Sequence, residues 1–263
     1  MADNTSHQDA HKNMPRVAII TGGAGGIGRS IGASLRQAGH EIVIADRHAD
    51  AAQAVATELG GLAVTVDLAH AESCRDLVAQ SVAHFGRVDM LINNAGFQHI
   101  APIDEFPDDV WENMLSVMLT APFILTKAVW PHMKAQKWGR IINLGSIHSV
   151  RASLYKVGYI TAKHGLLGLT RTAAREGGEF GITVNAILPS YVRTPLVEGQ
   201  IADQARTLNL SPEEVENKVF LATAAIKRLI EPDEVASLAA YLCSDAAAPI
   251  TGASLPIDVG YTA

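Results

Sequence analysis

The sequence predicts a doubly wound α/β domain: a mostly parallel sheet of seven strands with helices on both faces and a helical lid. Three observations predict it. Short β-branched runs alternate with longer helical patterns, the runs are apolar throughout rather than at every second residue, and a glycine-rich turn follows the first run. A strand that is apolar on both faces needs cover on both, which a parallel sheet receives from its crossover helices.

In order, the runs are RVAII (16–20), EIVIA (41–45), LAVTV (62–66), MLIN (90–93), RIINL (140–144) and ITVNAIL (182–188). A short seventh strand over 254–257 follows a helix over 234–242. The segment 194–226 is helical in pattern and long for a simple connection, so it reads as a lid over the substrate. No linker-like stretch or break in composition divides 15–263, and one domain is expected there. Residues 1–14 are polar and read as a flexible tail. His7 and His11 within it stand four apart, a spacing that suits a metal on a helix, but a functionally silent tail is the expectation.

With 263 residues, 48% of them hydrophobic and only 18% charged, the chain can bury a large core and lacks the signature of disorder. The net charge of -6 is modest and the basic residues are scattered, which argues against nucleic acid as a partner. Cys74 and Cys243 give neither a disulfide framework nor metal-ligand spacing, so no metal is expected and a reducing cytoplasm is. No stretch reads as a signal peptide or as long and apolar enough to cross a bilayer, and no membrane partner is expected.

In open α/β sheets ligands bind beyond the carboxyl ends of the strands. After the first run comes TGGAGGIG, where Gly22, Gly26 and Gly28 let the backbone turn tightly and bring a pyrophosphate to a helix N-terminus, with Ile27 counted in the same cofactor site. This strand, turn and helix form a Rossmann-type dinucleotide site. Asp46 ends the second strand, 18 residues past Gly28, where a carboxylate accepts ribose hydroxyls and repels a 2′-phosphate. NAD is therefore expected over NADP. Arg47 pulls the other way, since a guanidinium holds phosphate, whereas Gly25 adds no basic group. Asp67, read as the end of the third strand, suits either an adenine neighbour or a turn. Asn93, Asn94, Ala95 and Gly96 close the fourth strand with small residues along which a dinucleotide can lie, and Asn93 can tie adjacent strands.

Ser146 follows the fifth strand, Tyr159 stands 13 residues later, and Lys163 lies four beyond it on the same helical face. Reducing a carbonyl leaves an alkoxide that must be protonated, and the reverse reaction needs a base. A phenol serves both ends once a neighbouring ammonium brings its pKa down from near 10. The expected chemistry is hydride transfer between a nicotinamide and a small carbonyl or alcohol. Gln98, His148, Lys156 and Gln200 fall on the expected substrate side; an ammonium, an imidazole and two amides suit a carboxylate, so the substrate reads as a small acid.

TGGAGGIG, NNAG, Ser146, YITAK with Tyr159 and Lys163, and Asn185 together resemble the short-chain dehydrogenase/reductase family over essentially the whole chain after the tail. The resemblance implies that Ser146 bonds the reacting oxygen, Tyr159 is the acid/base, and Lys163 tunes Tyr159 and holds the nicotinamide ribose. It also implies that Val192 and Thr194 contact the nicotinamide end, and that the chain forms a homotetramer through its long helices, with small residues near Gly165 and Gly168 allowing close packing.

Within the family, NNAGFQH, SIHS, YKVGYITAKHG, TPLVEGQI and the terminal GYTA are similar to members that interconvert (R)-3-hydroxybutyrate and acetoacetate with NAD. That similarity implies a carboxylate held by Gln98, His148, Lys156 and Gln200. Tyr191 and Tyr261 would enclose the methyl end where Trp is usual, and Ser190 replaces the more usual Gly. A reductase of 3-oxoacyl thioesters or neutral ketones stays open as the other enzymatic reading. One departure stands out: Val117, Met118 and Leu119 replace the family's Val-Asn-Leu, whose Asn belongs to a proton relay through a water bound to the Lys. A thioether donates nothing, and Asn113, five residues back, falls on another side of the helix. Either a backbone carbonyl at that position keeps the relay, or turnover is weakened and the chain tends toward an NAD-binding protein.

Overall fold

The computed structural model of the chain describes residues 15–263, so the tail over 1–14, with His7 and His11, lies outside the described residues. The strands are β1 (Val17–Thr21), β2 (Glu41–Asp46), β3 (Leu62–Thr65), β4 (Met90–Asn93), β5 (Gly139–Leu144), β6 (Ile182–Pro189) and β7 (Ser254–Ile257). They pair in the order β3-β2-β1-β4-β5-β6-β7, and every pairing is parallel. The mostly parallel sheet of the sequence reading is thus wholly parallel.

Alternation along each strand explains the continuous apolar runs. Ala18 and Ile20 face a layer made by α1 (Gly26–Gln37), α2 (Ala49–Leu59) and α9 (Pro232–Cys243), while Val17 and Ile19 face the other side. That second layer holds α3 (Ala71–Phe85), α5 (Ala121–Gln136) and α6 (Val157–Gly177). Chain order reverses between β1 and β4, so the connections leave these two strands in opposite directions and open a crevice at their carboxyl ends.

A buried polar chain sets the position of α6. The Asn93 amide donates to Asn143 Oδ1 at 2.8 Å, Asn143 donates to Thr170 Oγ1 at 2.8 Å, and Thr170 donates on to the Leu166 carbonyl. The expected tie by Asn93 therefore reaches beyond the sheet to the helix that carries Tyr159 and Lys163. Asn185 acts on the other side, giving its amide to the Ile250 carbonyl and accepting the Ala253 N–H, which docks the approach to β7.

Two expectations need correction. β3 stops at Thr65 rather than Val66, so Asp67 does not end a strand but opens a turn: its N–H goes to Ser73 Oγ, and its carboxylate accepts the Ala69 N–H at 3.0 Å and pairs with His70 at 2.9 Å. The second concerns bilayer-spanning length. The helical stretch Asp108–Gln136 is long and apolar enough by length and composition to span one, contrary to the sequence reading. Much of its apolar character serves the core, where Leu125, Val129 and Met133 pack against the sheet.

The segment read from sequence as a lid forms α7 (Pro195–Leu208), α8 (Pro212–Val215) and a π-helical turn (Glu216–Phe220). Ser211 and Glu214 form a capping box that starts α8. The lid carries its own small core of Ile201, Val215, Phe220, Leu221 and Leu229, against which Tyr191 and Tyr261 pack.

Candidate active site

The glycine turn and the end of β4 interlock. At Gly22, where φ is +62°, a Cβ would lie 2.9 Å from Ala95 Cα; at Gly28 it would lie 2.3 Å from the Gly22 carbonyl oxygen and 2.6 Å from Asn94 Nδ2. The Asn94 amide donates to the Thr21 and Gly22 carbonyls, and Thr21 Oγ1 accepts the N–H groups of Asn94 and Ala95. Asn94 thus shapes the turn, with Thr21 as a partner the sequence reading missed. Gly25, the N-cap of α1, has nothing within 4 Å of where its Cβ would stand, so the helix N-terminus is open to an anion. A dinucleotide pyrophosphate fits this cradle. Gly28→Ala is expected to destabilise the fold by about 1–3 kcal/mol through overpacking and to remove NADH binding, read by thermal melting and by nucleotide fluorescence.

A cleft of about 520 Å³ runs from this cradle to Tyr159 and Lys163. Gly22, Gly26, Ile27 and Asn94 line its start, and Asp46 and Asp67 line one flank. The Asp46 carboxylate accepts the N–H groups of Ala24 (3.3 Å) and His48 (3.1 Å), and Arg47 and His48 stand beside it. Thr194 also lines the cleft while capping α7 through the Val197 N–H. Val192 does not line it: it is buried and pairs with Ile230, because the strand-like return of the chain turns its side chain into the core.

Ser146 begins a single 3₁₀ turn (Ile147–Ser149), its hydroxyl accepts the His148 N–H at 3.2 Å, and it lies near enough to the Tyr159 phenol to act on its ionisation. Tyr159 and Lys163 occupy the first turns of α6. Burial pushes the Tyr159 pKa up and the Ser146 hydrogen bond draws it down. Lys163 is 4% exposed; its Nζ donates to the Leu144 carbonyl and lies 5.6 Å from the centre of the Tyr159 ring. Burial brings its pKa down to about 8, so it stays largely an ammonium at neutral pH.

Lys156 Nζ lies 3.5 Å from His148 Nε2, and the His148 ring stands edge-on to Tyr159 with centroids 6.2 Å apart. Burial, then the Lys156 charge, lowers the His148 pKa to about 4, leaving the imidazole neutral; burial also lowers Lys156. Gln98 lines the cleft, and its Nε2 is buried without a partner, as is His148 Nδ1. The Tyr155 backbone is left-handed (φ +65°) and its carbonyl accepts the Ala101 N–H at 3.0 Å, which joins the loop after β4 to the one carrying Lys156.

Gln200 is not brought into this group. It sits half-buried on α7, with no hydrogen bond to the clamp residues, and Leu196 of the same helix faces the cleft instead. Tyr191 and Tyr261 do meet, their rings edge-on at 6.0 Å, with Phe220 of the lid 4.5 Å from Tyr191. Burial and the neighbouring Tyr261 push the Tyr191 phenol up to about 12. Phe220 gave no signal in the sequence beyond lying in the lid.

A family model described as Enoyl-(Acyl carrier protein) reductase matches residues 22–262. A D-beta-hydroxybutyrate dehydrogenase of Rhizobium meliloti is 42% identical over 257 residues, spanning 95% of this chain and all of the relative. An uncharacterized oxidoreductase of Bacillus subtilis, YxjF, is 41% identical over 94% of this chain and 98% of its own length. An acetoacetyl-CoA reductase of Shinella zoogloeoides is 35% identical over the same two shares. The chain belongs to the short-chain dehydrogenase/reductase family. As a short-chain oxidoreductase it works with a nicotinamide cofactor, which the glycine cradle, the open N-terminus of α1 and the adjoining cleft fit.

The departure from the family pattern at Met118 has a definite setting. A π-helical turn (Ser116–Thr120) joins α4 (Asp108–Leu115) to α5, with the Ala121 N–H donating five residues back to Ser116. Pro122 has no N–H to offer the Met118 carbonyl four residues earlier, so that carbonyl lacks the usual α-helical donor. The Met118 side chain is buried with Met114, Ala162 and Tyr159; its sulfur and Lys163 Nζ both lie within 4 Å of where a Gly96 Cβ would be. Asn113, on a different side of the helix as expected, is exposed and lines the cleft with Val117.

Proposed function

We propose that this chain interconverts (R)-3-hydroxybutyrate and acetoacetate, or a close pair of short 3-hydroxy and 3-oxo acids, with NAD. The observation that carries the reading is the pair of half-buried Lys156 and buried His148 beside Tyr159, with the Gln98 amide nitrogen unpartnered near the cleft. An ammonium shielded from water favours an anion, and the unpaired Gln98 amide needs a hydrogen-bond partner that a carboxylate can supply. Asp46 supports NAD over NADP.

The bound nicotinamide supplies the hydride in reduction and takes it in oxidation. In reduction, Ser146 and Tyr159 hold the C3 oxygen, and Tyr159 releases its phenol proton to that oxygen as charge develops. In oxidation the phenolate takes the proton back, stabilised by the Lys163 ammonium. Lys163 keeps that charge only below its pKa. The kcat/KM for reduction by the cofactor-saturated enzyme is therefore expected to fall as pH rises through about 8, the value for Lys163 in the chain; a profile flat well beyond that pH would count against the role.

Pro122 cannot donate to the Met118 carbonyl, and a relay to Lys163 through that backbone oxygen needs no Asn side chain. Met118→Asn is expected to leave turnover unchanged or raise it, while the newly buried amide costs about 1–3 kcal/mol of stability if it finds no partner. A sharp loss of turnover at unchanged fold would contradict this relay.

The chain is further proposed to be a cytoplasmic homotetramer built on its long helices. Gly168 on α6 has nothing within 4 Å of its Cβ position and Phe123 on α5 is exposed, whereas Gly165 already packs against Leu119 of its own chain. Light scattering on the purified protein tests the oligomer. Steady-state rates with acetoacetate and NADH, set against NADPH, acetoacetyl-CoA and a neutral ketone, test the function. Turnover confined to the thioester or the ketone would overturn the acid reading, and NADH binding without turnover on any of them would favour a binding protein.

A further inference from the structure

The C-terminal segment is held more tightly than a chain end requires. Val259 has φ +53°, a left-handed backbone that a β-branched side chain rarely adopts. The Asp258 carboxylate secures the chain around it, accepting the N–H groups of Gly260 (3.0 Å) and Thr262 (2.9 Å) and the Thr262 hydroxyl. The Val259 carbonyl then accepts two amides from the far end of the lid, Ala225 at 2.9 Å and Ile226 at 3.0 Å. A Cβ on Gly260 would lie 2.7 Å from Ala225 Cβ, so the two segments are in direct contact.

A second fastening comes from the opposite side. Arg151, exposed on the loop after β5, donates from its guanidinium to the Tyr261 carbonyl at 2.9 Å, and its guanidinium carbon lies 5.9 Å from the centre of the Tyr261 ring. Tyr261 meets Tyr191 edge-on, and Tyr159 lies close enough to Tyr191 to help raise its pKa. A contact 110 residues apart in sequence thus joins the loop that bears Ser146 and His148 to a ring packed against Tyr191.

We infer that Arg151 is a positioning residue for the far wall of the substrate pocket: by latching Tyr261 it fixes the Tyr191–Tyr261 wall and, through the left-handed Val259, makes the end of the lid part of that wall. Left-handed strain at a β-branched residue persists only while its surroundings hold it. With the latch released, only the Asp258 carboxylate and the two lid amides hold Val259 left-handed, and its carbonyl parts from Ala225 and Ile226 more often. The inference rests on the acid-reductase reading for its substrate readout and on hydrogen bonding alone for its structural one.

The test uses full-length Arg151→Ala and Arg151→Lys, each with acetoacetate and with the longer 3-oxohexanoate. For Arg151→Ala, KM for acetoacetate is expected to rise about tenfold with kcat within about twofold, because the reacting groups are untouched. The KM for NADH should not move. Selectivity should shift toward the longer acid, and Arg151→Lys, which keeps a donor but loses the planar stack, should restore part of it. Native-state hydrogen exchange in the same proteins should show the Ala225 and Ile226 amides opening about tenfold faster in Arg151→Ala. Unchanged exchange overturns the latch; faster exchange with unchanged KM and selectivity overturns the positioning role. If the wild-type chain turns over neither acid, the substrate reading fails and exchange at Ala225 and Ile226 still decides the latch.

Discussion

Tyr159→Phe is expected to lower kcat about 10²- to 10⁴-fold, the range a positioned general acid contributes, while NADH affinity and melting temperature change little. The ring keeps its packing against the Met114, Met118 and Ala162 cluster and its edge contact with His148, so only the hydroxyl is lost. Ser146 then remains as the hydroxyl near the reacting oxygen, and it has no adjacent ammonium comparable to Lys163. The decisive measurement pairs single-turnover hydride transfer with a nucleotide titration: weak turnover with intact binding places the loss in the chemical step. A variant retaining more than about a tenth of the wild-type rate would mean that another group protonates the oxygen, since general acid–base catalysis is worth far more than that.

Lys156→Ala carries the second large effect. A hydrogen bond to a charged group is worth about 1.5–3 kcal/mol, so kcat/KM for acetoacetate is expected to fall about 10- to 150-fold at that energy. The loss should be confined to acids, with little change for a neutral ketone of the same length. Lys156→Met keeps the apolar stem and separates lost charge from lost packing. The substitution also removes the second cause of the low His148 pKa; burial, the larger cause, remains, so the imidazole should titrate above about 4 but still below its ordinary 6.5. Equal losses on acids and ketones would show that Lys156 supports the loop rather than the carboxylate.

The strands, the glycine turn and the Ser146, Tyr159 and Lys163 grouping were legible because each is written in local pattern: continuous apolar runs along the strands, Gly spacing, and a four-residue helical step. Asp67 was misread because the strand it follows ends early, once Ser73 takes its N–H. The apolar stretch Asp108–Gln136 was missed as one element because Pro122 and Pro131 interrupt its pattern, whereas the π-turn lets the helix continue past the first of them. Gln200 was placed by its presence in the lid, but whether it reaches the cleft depends on how α7 is rotated, which packing sets. Pro122 itself was readable, since a missing N–H four residues after Met118 follows from sequence alone. Arg151, Phe220 and the backbone of Val259 were not, since each acts through a contact far along the chain.

The relay of amides from Asn93 through Asn143 to Thr170 has a consequence for how such a protein can diversify. Turning α6 about its axis would break a buried bond at Asn143 and expose an unsatisfied amide, so the reacting groups keep their phase relative to the sheet. The loops carrying Gln98 and Lys156 and the aromatic wall lie outside that axle. Recognition can therefore drift across many acids and alcohols while the orientation of the hydride-transfer machinery is inherited unchanged.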